Sequence, residues 1–185
     1  MRVEQILKTS KLTERSRRLP SFKNEIETVY NLGQVLKNSP FNLVDALLQA
    51  AMDLCRAGTA GISILETTPE GAEIFHWTNL SGKLAKCVGN RTPRNFSLCG
   101  VCLDRNAPQL FAWPARYFQY LQNTMDVPIV EALVVPIYTV DLSPGTIWIF
   151  SHDEDVHFDS DDARIMTRLA EFTGSALGLI HALHC

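Results

Sequence analysis

The sequence has no run near the roughly 20 consecutive apolar residues of a membrane span, and its charged start lacks the apolar centre of a secretory signal. A cytoplasmic location without a membrane anchor is the expectation. Its five cysteines (Cys55, Cys87, Cys99, Cys102 and Cys185) are odd in number, which argues against a disulfide framework and predicts reduced thiols. There is no phosphate-cradling glycine loop, no kinase signature and no acidic pocket of a receiver domain. Output activities of those kinds must therefore reside in another domain or another chain. Basic residues are scarce outside the start, where Arg2, Lys8, Lys11, Arg15, Arg17, Arg18 and Lys23 face only Glu4 and Glu14. No aromatic residue interleaves with those charges before Phe22, and the rest of the chain is acidic. A solvated segment is expected there, with no nucleic-acid partner.

What is present is ordinary globular composition. Hydrophobic residues make up 46% and charged residues 20% of 185, enough for one domain with a full core but short for two. Residues 1–40 read as a linker and a leading helix, and residues 41–185 as the domain proper. Ile26, Val29, Tyr30, Leu32 and Val35 mark an amphipathic helix ending near Asn38, before Ser39-Pro40. A second helix is expected over about residues 42–56, with Asn42 as its cap and Gly58 as its stop.

Strands follow. Gly61-Ile62-Ser63-Ile64-Leu65 and Ile74-Phe75-His76-Trp77-Thr78 flank the turn Thr68-Pro69-Glu70-Gly71 and predict a hairpin. The long excursion over residues 79–107 carries a helical candidate from Ser97 to Asp104, and Pro108 to Trp113 reads as another strand. A short helix is expected within residues 115–125. Ala132 to Tyr138 and Thr146 to Phe150 form a second hairpin whose alternating sets are both apolar, so both faces of the sheet centre should be covered. Beyond Phe158-Asp159-Ser160 a long helix carries Ile165, Leu169, Phe172, Ala176, Leu179 and Leu183. That four-three spacing fits a dimer seam and intramolecular packing equally well.

Val134-Val135-Pro136-Ile137, then Pro144-Gly145-Thr146-Ile147-Trp148-Ile149, then Phe158-Asp159-Ser160-Asp161-Asp162 and Leu169-Ala170 resemble the carboxy-terminal half of the GAF domain family. The resemblance runs from about residue 41 to residue 180. It implies an α/β (α+β) sandwich: an antiparallel sheet of about five to six strands, terminal helices on one face, and a ligand-pocket side of loops and short helices on the other. The stretch from Pro93 to Arg105 with Pro108 to Phe111 is similar to a GAF subgroup of bacterial histidine kinases and related two-component proteins. By that resemblance the chain is a sensor domain that binds a small molecule or dimerises through its terminal helices, with kinase or receiver domains as partners.

The expected ligand-binding residues are Trp77, Arg94, Phe96, Cys99, Cys102, Leu103, Phe111, Trp113 and Phe118, with Arg94 the anchor for an anionic ligand. The competing reading is that the aromatics fill a core. Cys99 and Cys102 start a candidate helix, where the dipole favours thiolate chemistry, yet four zinc ligands are not assembled. The His152-Asp153-Glu154-Asp155-Val156-His157 loop carries potential ligands but fits a solvated acidic helix start. No metal and no cofactor is expected. Bilin-binding relatives follow the attachment cysteine with histidine, whereas here Gly100 and Leu103 follow the cysteines. Free methionine sulfoxide reductases of the family place a cysteine where this chain reads Asp126-Val127-Pro128-Ile129-Val130. A non-enzymatic sensor is the expectation, with a ligand-free dimerisation module and a thiol-based redox switch or reductase as alternatives.

Overall fold

The computed structural model describes residues 2–17, 21–124, 126–139 and 143–184. Helix α1 spans Lys11–Glu14, α2 Phe22–Asn38, α3 Leu43–Cys55, α4 Leu98–Arg105, α5 Tyr120–Thr124 and α6 Ser160–His184. The strands are β1 Thr59–Thr67, β2 Glu73–Gly82, β3 Arg91–Pro93, β4 Gln109–Ala112, β5 Glu131–Ile137 and β6 Gly145–Ser151. They form one sheet in the order β3-β2-β1-β6-β5-β4. Every neighbouring pair is antiparallel, including the two predicted hairpins β1–β2 and β5–β6. The mixed α/β sandwich expected from the sequence is the fold observed.

Alternation along the central strands sorts side chains between two cores. On β6, Ile147 and Ile149 join Leu133 and Val135 of β5 and Ile62 of β1 in a core closed by α2, α3 and α6. Trp148 and Phe150 face the other way, with Phe75 and Trp77 of β2, Phe111 of β4 and Val134 of β5, under α4 and α5. β5 and β6 are thus buried on both faces, which explains their continuous apolar runs.

Side chains of the four-three stripe of α6 are described as far as Ala176. Ile165, Leu169 and Ala176 are buried in the helix-side core and Phe172 packs against it, so that part of the stripe faces the sheet. α3 departs from the expected end signals. Asn42 makes no side-chain cap and instead closes a 3-10 turn, Pro40–Asn42. The helix stops at Arg56, in left-handed conformation with φ 55°, before the chain reaches Gly58. Gly58 serves a different need, since a Cβ there would lie 2.7 Å from the His152 ring.

The amino-terminal residues differ most from expectation. Residues 2–15 form a strap along the outer edge of β4 instead of a solvated segment. Lys8 donates its backbone N–H to Leu110, Ala112 donates to Ile6, and Leu7 and Phe111 form an antiparallel bridge. Ile6 enters the aromatic core and Leu12 the helix-side core, so the strap is fastened on both faces of the sheet. Burying each such side chain contributes about 1.5–3 kcal/mol, and pairing the edge of β4 removes a row of open backbone groups. Arg18 lies outside the described residues. No helix among the described residues is long and apolar enough to cross a membrane.

Candidate functional site

The sheet face opposite the long helices carries the chemistry. Its floor is built by residues of all six strands: Phe75 and Trp77, Thr92, Ser63, Thr146, Trp148 and Phe150, Ala132 and Val134, and Phe111. α4 lies across it, capped by Ser97, whose hydroxyl accepts from the Gly100 N–H at 3.0 Å. Gly100 lets α4 approach closely, because a Cβ there would fall 2.0 Å from the Arg94 carbonyl oxygen. Gly61 plays the same part in the floor, where a Cβ would meet the Trp148 ring at 2.3 Å. The ring in turn donates its indole N–H to Ser63 Oγ at 2.9 Å.

Aromatic contacts run through the whole face. Trp148 stacks on Phe150 with centroids 4.3 Å apart, and Trp77 tilts against Trp148 at 5.1 Å. Phe118 meets Phe111 edge-on at 6.3 Å and Phe96 at 5.2 Å. Such pairs add about 0.5–1.5 kcal/mol beyond their burial.

Of the residues singled out in the sequence, Trp77, Cys99, Cys102, Phe111 and Phe118 come together in this buried cluster, with half-buried Leu103 at its margin. Phe96 is 39% exposed and closes the outside of the cluster against Tyr117, Phe118 and Tyr120. Trp113 stands apart from it: left-handed at φ 50°, it turns its ring under the Arg116 guanidinium, 5.1 Å from the centroid. Arg94 is held by Asp104 Oδ1 at 2.6 Å and by the Gly100 carbonyl at 3.3 Å, a pairing that fastens the loop before α4 to that helix. Phe75, Thr92, Tyr120, Val134, Trp148 and Phe150 belong to the same face but were not singled out. The signal was there: the even-numbered set of β6 is aromatic where the odd-numbered set is aliphatic.

Between floor and lid lies a cavity of about 10 Å³ lined by Trp77, Thr92, Leu98, Cys99, Tyr120, Val134, Trp148 and Phe150. Among the described residues Trp77 Nε1 and Thr92 Oγ1 are buried without a hydrogen-bond partner. Burial pushes the Cys99 thiol up, against the opposing influence of the nearby Thr146 and Ser63 hydroxyls. Cys102 is likewise pushed up, first by burial and then by Cys99. Desolvation therefore outweighs the helix start at both thiols. Cys102 Sγ donates to the Val134 carbonyl at 3.4 Å, holding α4 to β5. Burial raises Tyr120 as well.

The acidic loop after β6 is partly structural. His152 bridges the Pro128 carbonyl oxygen (2.7 Å to Nδ1) and Thr59 Oγ1 (2.8 Å to Nε2), an arrangement that fits a neutral ring with its proton on Nδ1. His157 contacts the buried carboxylate of Glu131 at 3.1 Å. Among the described residues no three His, Cys, Asp or Glu side chains cluster in a way that could hold a metal ion. His184 is described in backbone only, and Cys185 lies outside the described residues.

A second, open groove of about 300 Å³ lies on the helix side, between Tyr138 and Pro136 of the β5 end, Asn106 to Pro108, and Thr167 to Glu171 of α6. Tyr138 donates its hydroxyl to Asn106 Oδ1 at 2.5 Å beside it.

Solved structures with this fold include the GAF domain of a phosphoenolpyruvate-protein phosphotransferase from Coxiella burnetii, at TM-score 0.71 and 14% identity over 88% of this chain and 97% of that one. The GAF-B domain of DevS from Mycobacterium smegmatis matches at TM-score 0.58 and 18% identity, over 79% and 98% of the two chains. The free methionine-R-sulfoxide reductase of Neisseria meningitidis, solved with its substrate, matches at TM-score 0.62 and 15% identity, over 88% and 94%. A sequence comparison with curated proteins finds no match. The family model described as GAF domain matches residues 39–178, and with the sheet order and two-sided packing above, this chain belongs to the GAF domain family.

Proposed function

We propose that this GAF domain is a cytoplasmic, non-enzymatic sensor module of a two-component signalling protein, which takes a small molecule on its aromatic face and relays its presence along α6. One observation carries the reading: β5 is gripped from both faces. α4 holds it through Cys102 and the Val134 carbonyl at 3.4 Å. Three residues earlier on the strand, Glu131 accepts the Phe158 N–H at 2.9 Å, two residues ahead of α6. A ligand that favours one placement of α4 therefore acts on the strand that fixes the start of α6, and the shift it produces equals its preference for that placement. Kinase or receiver domains, in the same chain or another, are the partners that would read α6. Native mass spectrometry of the chain purified from expressing cells identifies a retained ligand. Spin labels at Arg168 of α6 and Glu70 of the β1–β2 turn then report the distance with and without it, and an unchanged distance distribution would refute the relay.

A dimerisation module is the second reading, favoured by one feature of α2. Phe22, Ile26, Val29 and Tyr30 lie 64–69% exposed along one side of that helix. An apolar stripe of this length on a terminal helix is suited to meeting its copy in a homodimer.

A further inference from the structure

Resting on the sensor reading above, we propose that the aromatic face takes a neutral, hydrogen-bonding ligand group, such as a carboxamide or other uncharged carbonyl, and discriminates against anions. The argument starts from what the cavity offers. Trp77 Nε1 can only donate, so the group beside it must present an acceptor. Thr92 Oγ1, 4% exposed by residue and also lining the cavity, can donate or accept. Both atoms lack a partner among the described residues. A bound group that supplies an acceptor to Trp77 and either role to Thr92 completes what the fold leaves unmade, whereas an apolar group completes neither.

Charge is decided by the surroundings. The lining consists of aromatic and aliphatic side chains, one hydroxyl, one phenol and one thiol, with no ionised side chain among them. Desolvating an anion there would go uncompensated. The guanidinium best placed by sequence to compensate, Arg94, is committed to Asp104 and the Gly100 carbonyl. With no cation among the described lining residues, the site rejects carboxylates and admits amides through Trp77 and Thr92. At about 10 Å³ the cavity holds a group of roughly water size. It accordingly reads the polar tip of a ligand.

Formamide and formate are of nearly equal size and differ in charge, and xenon serves as the apolar probe. The readout is the indole N–H resonance of Trp77 in a 15N-labelled sample, assigned by its loss in Trp77→Phe. Formamide is expected to move this resonance saturably, with formate at the same concentration leaving it in place. Thr92→Val should weaken the formamide response about five- to tenfold. The same change should raise the thermal midpoint of the ligand-free protein, because it removes an unpartnered buried hydroxyl, so loss of folding cannot mimic the result. A response to formate equal to that of formamide, or to xenon alone, overturns the neutral polar class while leaving a ligand site on this face. No saturable response to any of the three overturns the class, while the sensor reading is decided separately by whether native mass spectrometry finds a retained ligand.

Discussion

Arg15 and Glu131, 116 positions apart in sequence, form a bidentate ion pair at 2.6 and 2.9 Å that fastens the amino-terminal strap to the first residue of β5. The Glu131 side chain is 3% exposed and Arg15 24%. Arg15 also donates to the Phe158 carbonyl at 2.6 Å, while Glu131 accepts from the Phe158 N–H. Strap, strand β5 and the approach to α6 therefore meet at one carboxylate. The family match begins at residue 39, so this clasp joins a segment outside it to the strand through which relay is proposed.

Removing Arg15 leaves the Glu131 carboxylate buried with, among the described residues, His157 and the Phe158 N–H as partners. Arg15→Ala is expected to cost about 3 kcal/mol, at the low end for breaking a buried pair because Arg15 is partly solvated. Urea unfolding measures it, and Arg15→Ala with Glu131→Gln together should cost less than the sum of the two single changes. A loss under 0.5 kcal/mol for Arg15→Ala would mean that the strap is not held by this pair.

Much of this fold could be read from the sequence because its signals are local. Alternation in Ile147 to Phe150 and the acidic start of α6 place a strand and a helix without knowledge of neighbours. The strap could not be read in this way. Ile6 and Leu12 show no period, since one plugs the aromatic core and the other the helix-side core across a strand edge, and Arg15 finds its partner only through the tertiary fold. The same limit applies to Arg94, whose ion pair with Asp104 is invisible until α4 packs down. For the thiols, the sequence exposes the helix start, but burial is settled by what covers it.

Those thiols should be chemically quiet. Desolvation raises both Cys99 and Cys102, so the thiolate population at neutral pH is small. Reaction of the native protein with an aromatic disulfide reagent should leave both residues unmodified over minutes, with full reaction after unfolding in guanidinium. Peptide mapping assigns the sites. Rapid native modification of Cys99 would favour the redox-switch alternative over the ligand sensor.

Acid should weaken the domain through His152. Burial lowers its pKa below the ordinary value, with the Pro128 carbonyl opposing and Lys83 adding to the shift. Where the folded value lies below the unfolded one, the unfolded chain binds the extra proton. The contribution is then present above the unfolded value of about 6.5 and is lost as pH falls through the folded value. Thermal midpoints should fall between pH 7 and pH 5, and His152→Gln should flatten that slope. An unchanged slope in the variant would assign the pH dependence to other groups.

Gly61→Ala tests the floor of the aromatic face. The added methyl would lie 2.3 Å from the Trp148 ring, so either the ring or β1 must shift. Overpacking of this kind costs about 1–3 kcal/mol, and Trp148 would leave its bond to Ser63 and its stack on Phe150. Tryptophan emission should change together with stability. A destabilised variant with wild-type emission would indicate that the backbone gives way and the ring does not.

The exposed side of α2 yields the prediction on assembly. Glu25 is turned to Arg164 of α6, at 2.9 and 3.0 Å, and Leu32 is buried, which fixes the rotation of α2 and leaves Ile26 and Val29 facing outward. Because the described part of the α6 stripe packs against the sheet, the exposed apolar side of α2 is the face to test for a contact between copies. Ile26→Glu and Val29→Glu change no described core contact, so each should leave the unfolding free energy of the monomer within about 0.5 kcal/mol of wild type. If α2 meets its copy, light scattering should show a dimer that these changes dissociate, since two buried glutamates would face one another without partners. A dimer that survives both substitutions would have to form elsewhere, and a wild-type monomer at the highest concentrations measured would remove the dimerisation reading.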